Sequence, residues 1–170
     1  AIGTVLFVIG AYAAWTFEDT VRTRVSIWLN PWADSLGKGF QLVQAAFAFA
    51  WGGVSGTGLA LGDPTRIPEV KNDFIFAAIG EELGLLGTVA IVVAFLLMVG
   101  VGLRIAIQAR SDFEKLLAVG LTVCLGVQTF IILGGVTRLV PLTGITLPFV
   151  SYGGSSLLAN YILLALLLRI

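Results

Sequence analysis

An all-α, polytopic membrane protein is the fold class this sequence predicts, on three observations. Of its 170 residues 58% are hydrophobic and only 12% charged, against about 25% charged in an ordinary soluble domain. Mean hydropathy is +1.00. The apolar residues also gather into runs long enough to cross a bilayer as a helix, which takes about 20 residues. These runs are 83–103, 116–136 and 145–168, with 1–17 as a fourth, shortened run. Ten basic and ten acidic residues leave a formal net charge of zero. No cationic field is therefore available for nucleic acid, and no nucleic-acid partner is expected.

The first run, 1–17, begins without Met and is already apolar, and the last stops at Arg169-Ile170. The chain is therefore read as a piece of a longer protein. Residues 18–72 form a long connection with five basic residues, five acidic residues and three Trp. Its opening, EDTVRTRVSIWLNPWADS, places Trp28 and Trp32 among charges; indole favours the headgroup level, so a segment lying along the surface is expected. KGFQLVQAAFAFAW follows as a short apolar helix of interfacial or re-entrant type. The glycine cluster WGGVSGTGLALG fits no nucleotide motif, because GxGxxG lacks its third Gly and GxxxxGK is absent. Backbone that turns sharply or approaches another helix closely is the expectation, with amide contact to an anionic ligand as the alternative.

The stretch GDPTRIPEVKNDFIFAAIGEELGLLG holds the densest set of ionisable residues beside a membrane run: Asp63, Arg66, Glu69, Lys71, Asp73, Glu81 and Glu82. Asn72 or Asp73 can N-cap the helix expected over 73–103. On a continuous helix turning about 100° per residue, Ala77, Gly80, Gly84 and Gly87 lie beneath Asp73 on one small-residue face. Such a face admits a neighbouring backbone and turns Asp73 toward the interior, where an unpaired carboxylate is costly unless functional. Arg66 and Lys71 are its evident cationic partners. Glu81 and Glu82 sit roughly 12 to 13 Å further down and are expected to make structural hydrogen bonds.

The loop 104–115 separates the run 83–103 from the run 116–136, which spans. Cys124 within the latter is expected to be a buried, inert thiol. No His is present, which removes Ser-His-Asp and Cys-His catalysis and His-ligated metals from this chain. The turn 137–144 leads into 145–168, and the stretch around that start packs Pro141, Gly144, Pro148, Gly153 and Gly154 among hydroxyls. Irregular backbone at that depth lines a cavity or is satisfied by protein. Counting Lys and Arg gives six on the side of 18–72 and 137–144 against four on the other, which by the positive-inside rule favours a cytoplasmic long loop. The loop's five acids weaken that vote.

PLTGITLPFVSYGGSSLLAN closely resembles the signature PxTGxxLPFxSYGGSS of the FtsW/RodA/SpoVE (SEDS) family. RVSIWLNPW followed by Gln41 and Gln44, GGVSGTGLALG, and PEVKNDFIFAAIGEELGLLG agree in the same order, so the resemblance covers residues 22–170. It implies the last four membrane helices of a ten-helix cell-membrane enzyme that polymerises lipid II into peptidoglycan beside a class B penicillin-binding protein. It also implies that 18–72 is extracytoplasmic, against the charge count, and that Asp73 of the DFIF motif is the catalytic carboxylate. The wording VTRLVPLTGITLPF looks actinobacterial. Where the family often has His-Thr before the Asp, this chain has Lys71-Asn72, so no role carries over to an imidazole or hydroxyl there.

On this reading Asp73 is a general base in inverting glycosyl transfer, deprotonating the 4-hydroxyl of one lipid-linked disaccharide as it attacks the anomeric carbon of another. The departing undecaprenyl pyrophosphate needs cations, for which Arg66, Lys71, Lys38, Arg22 and Arg24 are candidates. Glu69, Thr143, Ser151, Tyr152, Ser155 and Ser156 complete the candidate substrate-binding set. A divalent cation, Mg or Mn, held by Asp73 and Glu69 is a further expectation. The rival functions are a lipid II flippase, which should keep its charged site near the bilayer midplane, and a non-catalytic scaffold for the partner synthase.

Overall fold

The computed structural model describes residues 2–170, and the side chains of Ile2, Phe7, Val8 and Ala13 are left undescribed, as is Ala1 of the predicted first segment. The described residues form helices and turns with no strand. Helix α1 is Ile2–Phe17, α2 Asp19–Leu29, α3 Phe40–Gly52, α4 Ile75–Gln108, α5 Asp112–Val136 and α6 Gly154–Arg169; short 3-10 turns occupy Pro31–Asp34 and Pro64–Arg66. Two of these, α4 with 34 residues and α5 with 25, are long and apolar enough to cross a membrane. Their outward faces are apolar and open, with Leu86 67%, Leu96 65% and Phe130 59% exposed, as expected where the surrounding medium is hydrocarbon.

Three boundaries differ from the sequence expectation. The helix predicted for 73–103 starts at Ile75 and runs on to Gln108, because LRIAIQ continues its helix-forming pattern past Arg104. The predicted 104–115 loop shrinks to three residues, since Ser111 and Glu114 form a reciprocal capping box that starts α5 at Asp112. In 145–168 only the part from Gly154 onward, within Gly154–Arg169, is helical; the part before it is the irregular backbone that the Pro and Gly residues foretell. Cys124 is exposed rather than buried, lying on the outward side of α5 near Val123 and Val127, where lipid rather than protein would cover a thiol.

The small-residue face of α4 packs against α3, with Ala77 and Ala45 both fully buried. A Cβ on Gly52 would collide with the Gly80 carbonyl, so the two backbones touch there. The stripe is not continuous helix, however. At Gly84 (φ 65, ψ −158) α4 breaks, in a region essentially open to glycine alone.

The glycine loop repairs that break. The carbonyls of Glu81 and Glu82 accept from Thr57 N (2.9 Å) and Gly58 N (3.0 Å), while Leu85 N and Leu86 N donate to Gly53 O (2.9 Å) and Val54 O (3.3 Å). In an unbroken helix those same two carbonyls would have received those same two amides. The loop is thus spliced into the helix and satisfies these four groups, as buried backbone requires. Its amides are engaged by α4, which leaves the anionic-ligand alternative without donors at Thr57 and Gly58. Glu81, 3% exposed, ties the next stretch down by accepting from Asp63 N at 2.9 Å. Glu82 contributes its carbonyl, and no side-chain bond to it occurs among the described residues.

Candidate active site

Asp73 lies in a series of tight turns, not on α4. Val70 N reaches Ile67 O, and both Asn72 N and Asp73 N reach Glu69 O. The N-cap of α4 is Phe74, without a side-chain capping bond, so the expected capping by Asn72 or Asp73 does not occur. The reason is the neighbouring pair Phe74 and Phe76, 1% and 4% exposed. Their burial drives the chain inward at this point and leaves the Asp73 carboxylate facing sideways, into a cavity.

That cavity, about 180 Å³, is lined by Arg24, Ile27, Lys38, Gln41, Leu42, Asp73, Leu142 and Gly144. Four separate segments meet there: α2, the start of α3, the 67–73 turns and the 141–153 loop. Gly144 (φ 75) sits between the charges. A Cβ there would lie 3.5 Å from Asp73 Oδ2 and 3.6 Å from Arg24 Nη2. Arg24 is not ion-paired to Asp73; its Nη1 donates instead to Thr143 O at 2.6 Å, which holds the guanidinium on its own side of the pocket. Lys38 is exposed and makes no ion pair among the described residues. Gln41 has no hydrogen-bond partner there either.

Burial raises the Asp73 pKa above the ordinary carboxylate range, the charge of Glu69 raises it further, and Arg24 opposes both. A carboxylate so placed is a stronger base than free aspartate.

The 141–153 loop serves as a socket for Asp73. Ser151, 3% exposed, donates from Oγ to Asn72 O at 2.6 Å and accepts from Leu147 N at 2.9 Å. Tyr152 N donates to Lys71 O at 2.8 Å. Gln128 on α5 fixes the loop from behind through Thr146 O at 3.0 Å. Removing the hydroxyl with Ser151→Ala strands Asn72 O and Leu147 N. We expect a loss of about 1–3 kcal/mol of stability. Thermal unfolding checks this, and a wild-type midpoint would remove Ser151 from the account.

Of the residues singled out in the sequence, the structure brings Asp73, Lys38 and Arg24 together at the pocket and Thr143 to its rim through its carbonyl. It places others elsewhere. Arg66 pairs with Asp63 at 2.8 Å and lies over the Trp51 ring at 5.1 Å. Arg22 donates to Trp15 O and Thr16 O at the end of α1. Lys71 and Tyr152 line a separate surface depression with Glu69, and Glu69 accepts from Asn72 Nδ2 at 2.6 Å. Ser156 is engaged with Thr146 at 2.6 Å, and Ser155 is exposed with no side-chain bond among the described residues. The hydroxyls of Ser151 and Ser156 thus bond to protein, because a loop this irregular must satisfy its own backbone. Gly144 belongs to the irregular stretch that sequence reasoning expected to line a cavity, and it does so. Ile27 and Gln41 are pocket residues that sequence reasoning did not assign, although both stood in the matched motifs and could have been found there.

The family model described as "Cell cycle protein", FtsW/RodA/SpoVE, matches residues 1–170. The chain belongs to the FtsW/RodA/SpoVE family. It is 55% identical over 169 residues to the peptidoglycan glycosyltransferase RodA of Mycobacterium tuberculosis, covering 99% of this chain and 36% of that protein. It is 42% identical to the stage V sporulation protein E of Bacillus subtilis over 149 residues, 86% of this chain and 41% of the relative. A solved structure described under "Structural coordination of polymerization and crosslinking by a peptidoglycan synthase complex" superposes with a TM-score of 0.77 at 30% identity, covering 97% of this chain and 46% of that one. The chain therefore spans about two fifths of the length of these FtsW/RodA/SpoVE relatives. In this family member the signature PLTGITLPFVSYGGSS is the loop that holds the Asp73 turn.

Proposed function

We propose that the full-length protein polymerises lipid II into peptidoglycan glycan strands, with Asp73 as the general base. The observation that carries this reading is the pocket itself. Among the described residues its one carboxylate, half-buried and without an ion-pair partner, faces two cations across a gap floored by Gly144. Asp73 takes the proton of the acceptor 4-hydroxyl as that oxygen attacks the anomeric carbon of the donor. Arg24 and Lys38 balance the charge of the departing undecaprenyl pyrophosphate. Thr143 O keeps Arg24 from collapsing onto Asp73, which would quench the base.

The relatives named as peptidoglycan glycosyltransferases support the reaction class. The neighbouring synthase complex supports a class B penicillin-binding protein as partner. An apolar groove of about 310 Å³ between α4 and α5, lined by Phe76, Phe95, Val99, Phe130 and Leu133 among others, offers such a partner a membrane-facing surface. We place four of ten membrane helices in this chain, in the cell membrane, with the pocket extracytoplasmic. Asp73 lies before the start of α4, at the end of a membrane-length helix and not at its middle, which favours surface chemistry over a flippase site at the midplane.

A divalent cation fits the donor chemistry. Magnesium takes one or two carboxylates and completes its shell with substrate phosphate and water, and Glu69 is close enough to Asp73 for its charge to be felt. Asp73 would hold it, joined by Glu69 once that side chain turned from the neighbouring depression and released Asn72 Nδ2, and it would supply charge neutralisation at the pyrophosphate.

The pH dependence tests the assignment of the base. Because the basic form is needed, kcat/KM should fall on the acid side as Asp73 is protonated, at a pH above the ordinary aspartate range. Arg24→Gln removes the opposing cation and should move that limb to higher pH; Glu69→Gln should move it to lower pH. A limb that neither substitution moves would take the base assignment away from Asp73.

A further inference from the structure

Helix α2 buries none of its residues, yet it supplies Arg24 and Ile27 to one wall of the pocket. Core packing reaches it through the partly buried Ile27, and Arg22 and Arg24 bond its middle to Trp15 O and Thr143 O. The bonds that hold its C-terminal end run to the turn after α5. Trp28 Nε1 donates to Arg138 O at 2.9 Å; Arg138 Nη2 donates back to Trp28 O at 3.1 Å and Leu29 O at 3.3 Å. Those carbonyls end α2, where the helix dipole favours a cation and free carbonyls need donors.

Arg138 makes this contact from a backbone that side-chain-bearing residues seldom adopt, φ 62. Its Nε is buried with no partner, and it has no carboxylate partner among the described residues. A charged residue in a left-handed turn with an orphaned buried N–H is a poor choice for folding alone, since glycine would fit the turn without strain. What the side chain accomplishes is to grip α2 one turn beyond Arg24, from the same turn region that leads into Thr143 and Gly144.

We propose that Arg138, with Trp28, is a positioning residue: it clasps the end of α2 so that Arg24 stays across the pocket from Asp73. The inference rests on the reading of Arg24 as the cation that serves the leaving group. Arg138 does not touch the substrate; it acts through Arg24.

Arg138→Gly is the clean variant, because it keeps the turn and removes only the side chain. In the full-length protein polymerising lipid II, Arg138→Gly should lower kcat about tenfold with a smaller change in KM. In an Arg24→Gln background the same substitution should cost little, since the group it positions is gone. Trp28→Phe, which removes the indole N–H and keeps an aromatic ring, should act in the same direction. A readout free of catalysis accompanies this. Spin labels at Thr20 and Leu59, with Cys124 and every cysteine outside this segment replaced by Ser, should give a narrow distance distribution that broadens in Arg138→Gly. Equal fold losses with Arg24 intact and in the Arg24→Gln background, or an unbroadened distribution, would overturn the clasp. If instead Asp73→Asn retains full activity, the reaction assignment fails while the label distances still judge the clasp.

Discussion

Asp73→Asn is expected to abolish most glycan polymerisation, lowering kcat by roughly two to four orders of magnitude, the range a positioned general base supplies. The amide has the size of the carboxylate and the turn at 67–73 is held by backbone bonds, so folding should be spared. With the negative charge gone, Arg24 and Lys38 lose nothing in affinity for pyrophosphate. KM should accordingly change little, the mark of an interaction made mainly in the transition state. Asp73→Glu lengthens the side chain into a cavity of about 180 Å³ with Gly144 directly opposite, and should recover only a minor part of the rate. Rates of purified full-length variants over a range of lipid II concentrations check both.

Gly84→Val should impair folding itself. The position combines φ 65 and ψ −158 with a surrounding in which any Cβ would collide with Gly56 N and sit 2.7 Å from Val54 O. Backbone strain and the weakening of the spliced hydrogen bonds together amount to about 4 kcal/mol or more, enough to empty the folded state of many domains. The expected outcome is little monodisperse protein after detergent extraction. Gly100→Ala is the control: a Cβ there meets nothing within 4 Å, and in a helix Ala is favoured over Gly. Equal recovery of Gly84→Val and Gly100→Ala would mean that the splice contributes nothing.

Much of the fold can be read from the residues, because membrane runs and a short apolar helix are local patterns. Phe40–Gly52 largely coincides with the stretch KGFQLVQAAFAFAW that sequence marks as helical, and Ser111 with Glu114 is a capping box visible in the letters. The break at Gly84 is not. Ala77, Gly80, Gly84 and Gly87 satisfy helical spacing equally well whether the helix is whole or interrupted, and only the partner loop at 53–58 decides between them.

The site was legible in its centre and misleading at its edges. Asp73 stands out by motif and setting. The cations nearest it in sequence, Arg66 and Lys71, point elsewhere, whereas Arg24 reaches the site through a bond to Thr143, 119 residues away. Nothing in local spacing reveals such a contact. The same holds for Ser151 and Ser156: a hydroxyl in a Gly- and Pro-rich loop reads as a ligand for substrate, and only the folded loop shows backbone and side-chain partners for it.

The measurement that tests the central claim most directly is glycan polymer formed by full-length protein with the proposed partner synthase in liposomes carrying lipid II. Native protein and Asp73→Asn are compared while the transbilayer position of the lipid is followed in the same sample. The account predicts polymer from the native protein and almost none from Asp73→Asn. Polymer in equal amounts from both, or lipid crossing the bilayer with no polymer from the native protein, would contradict it.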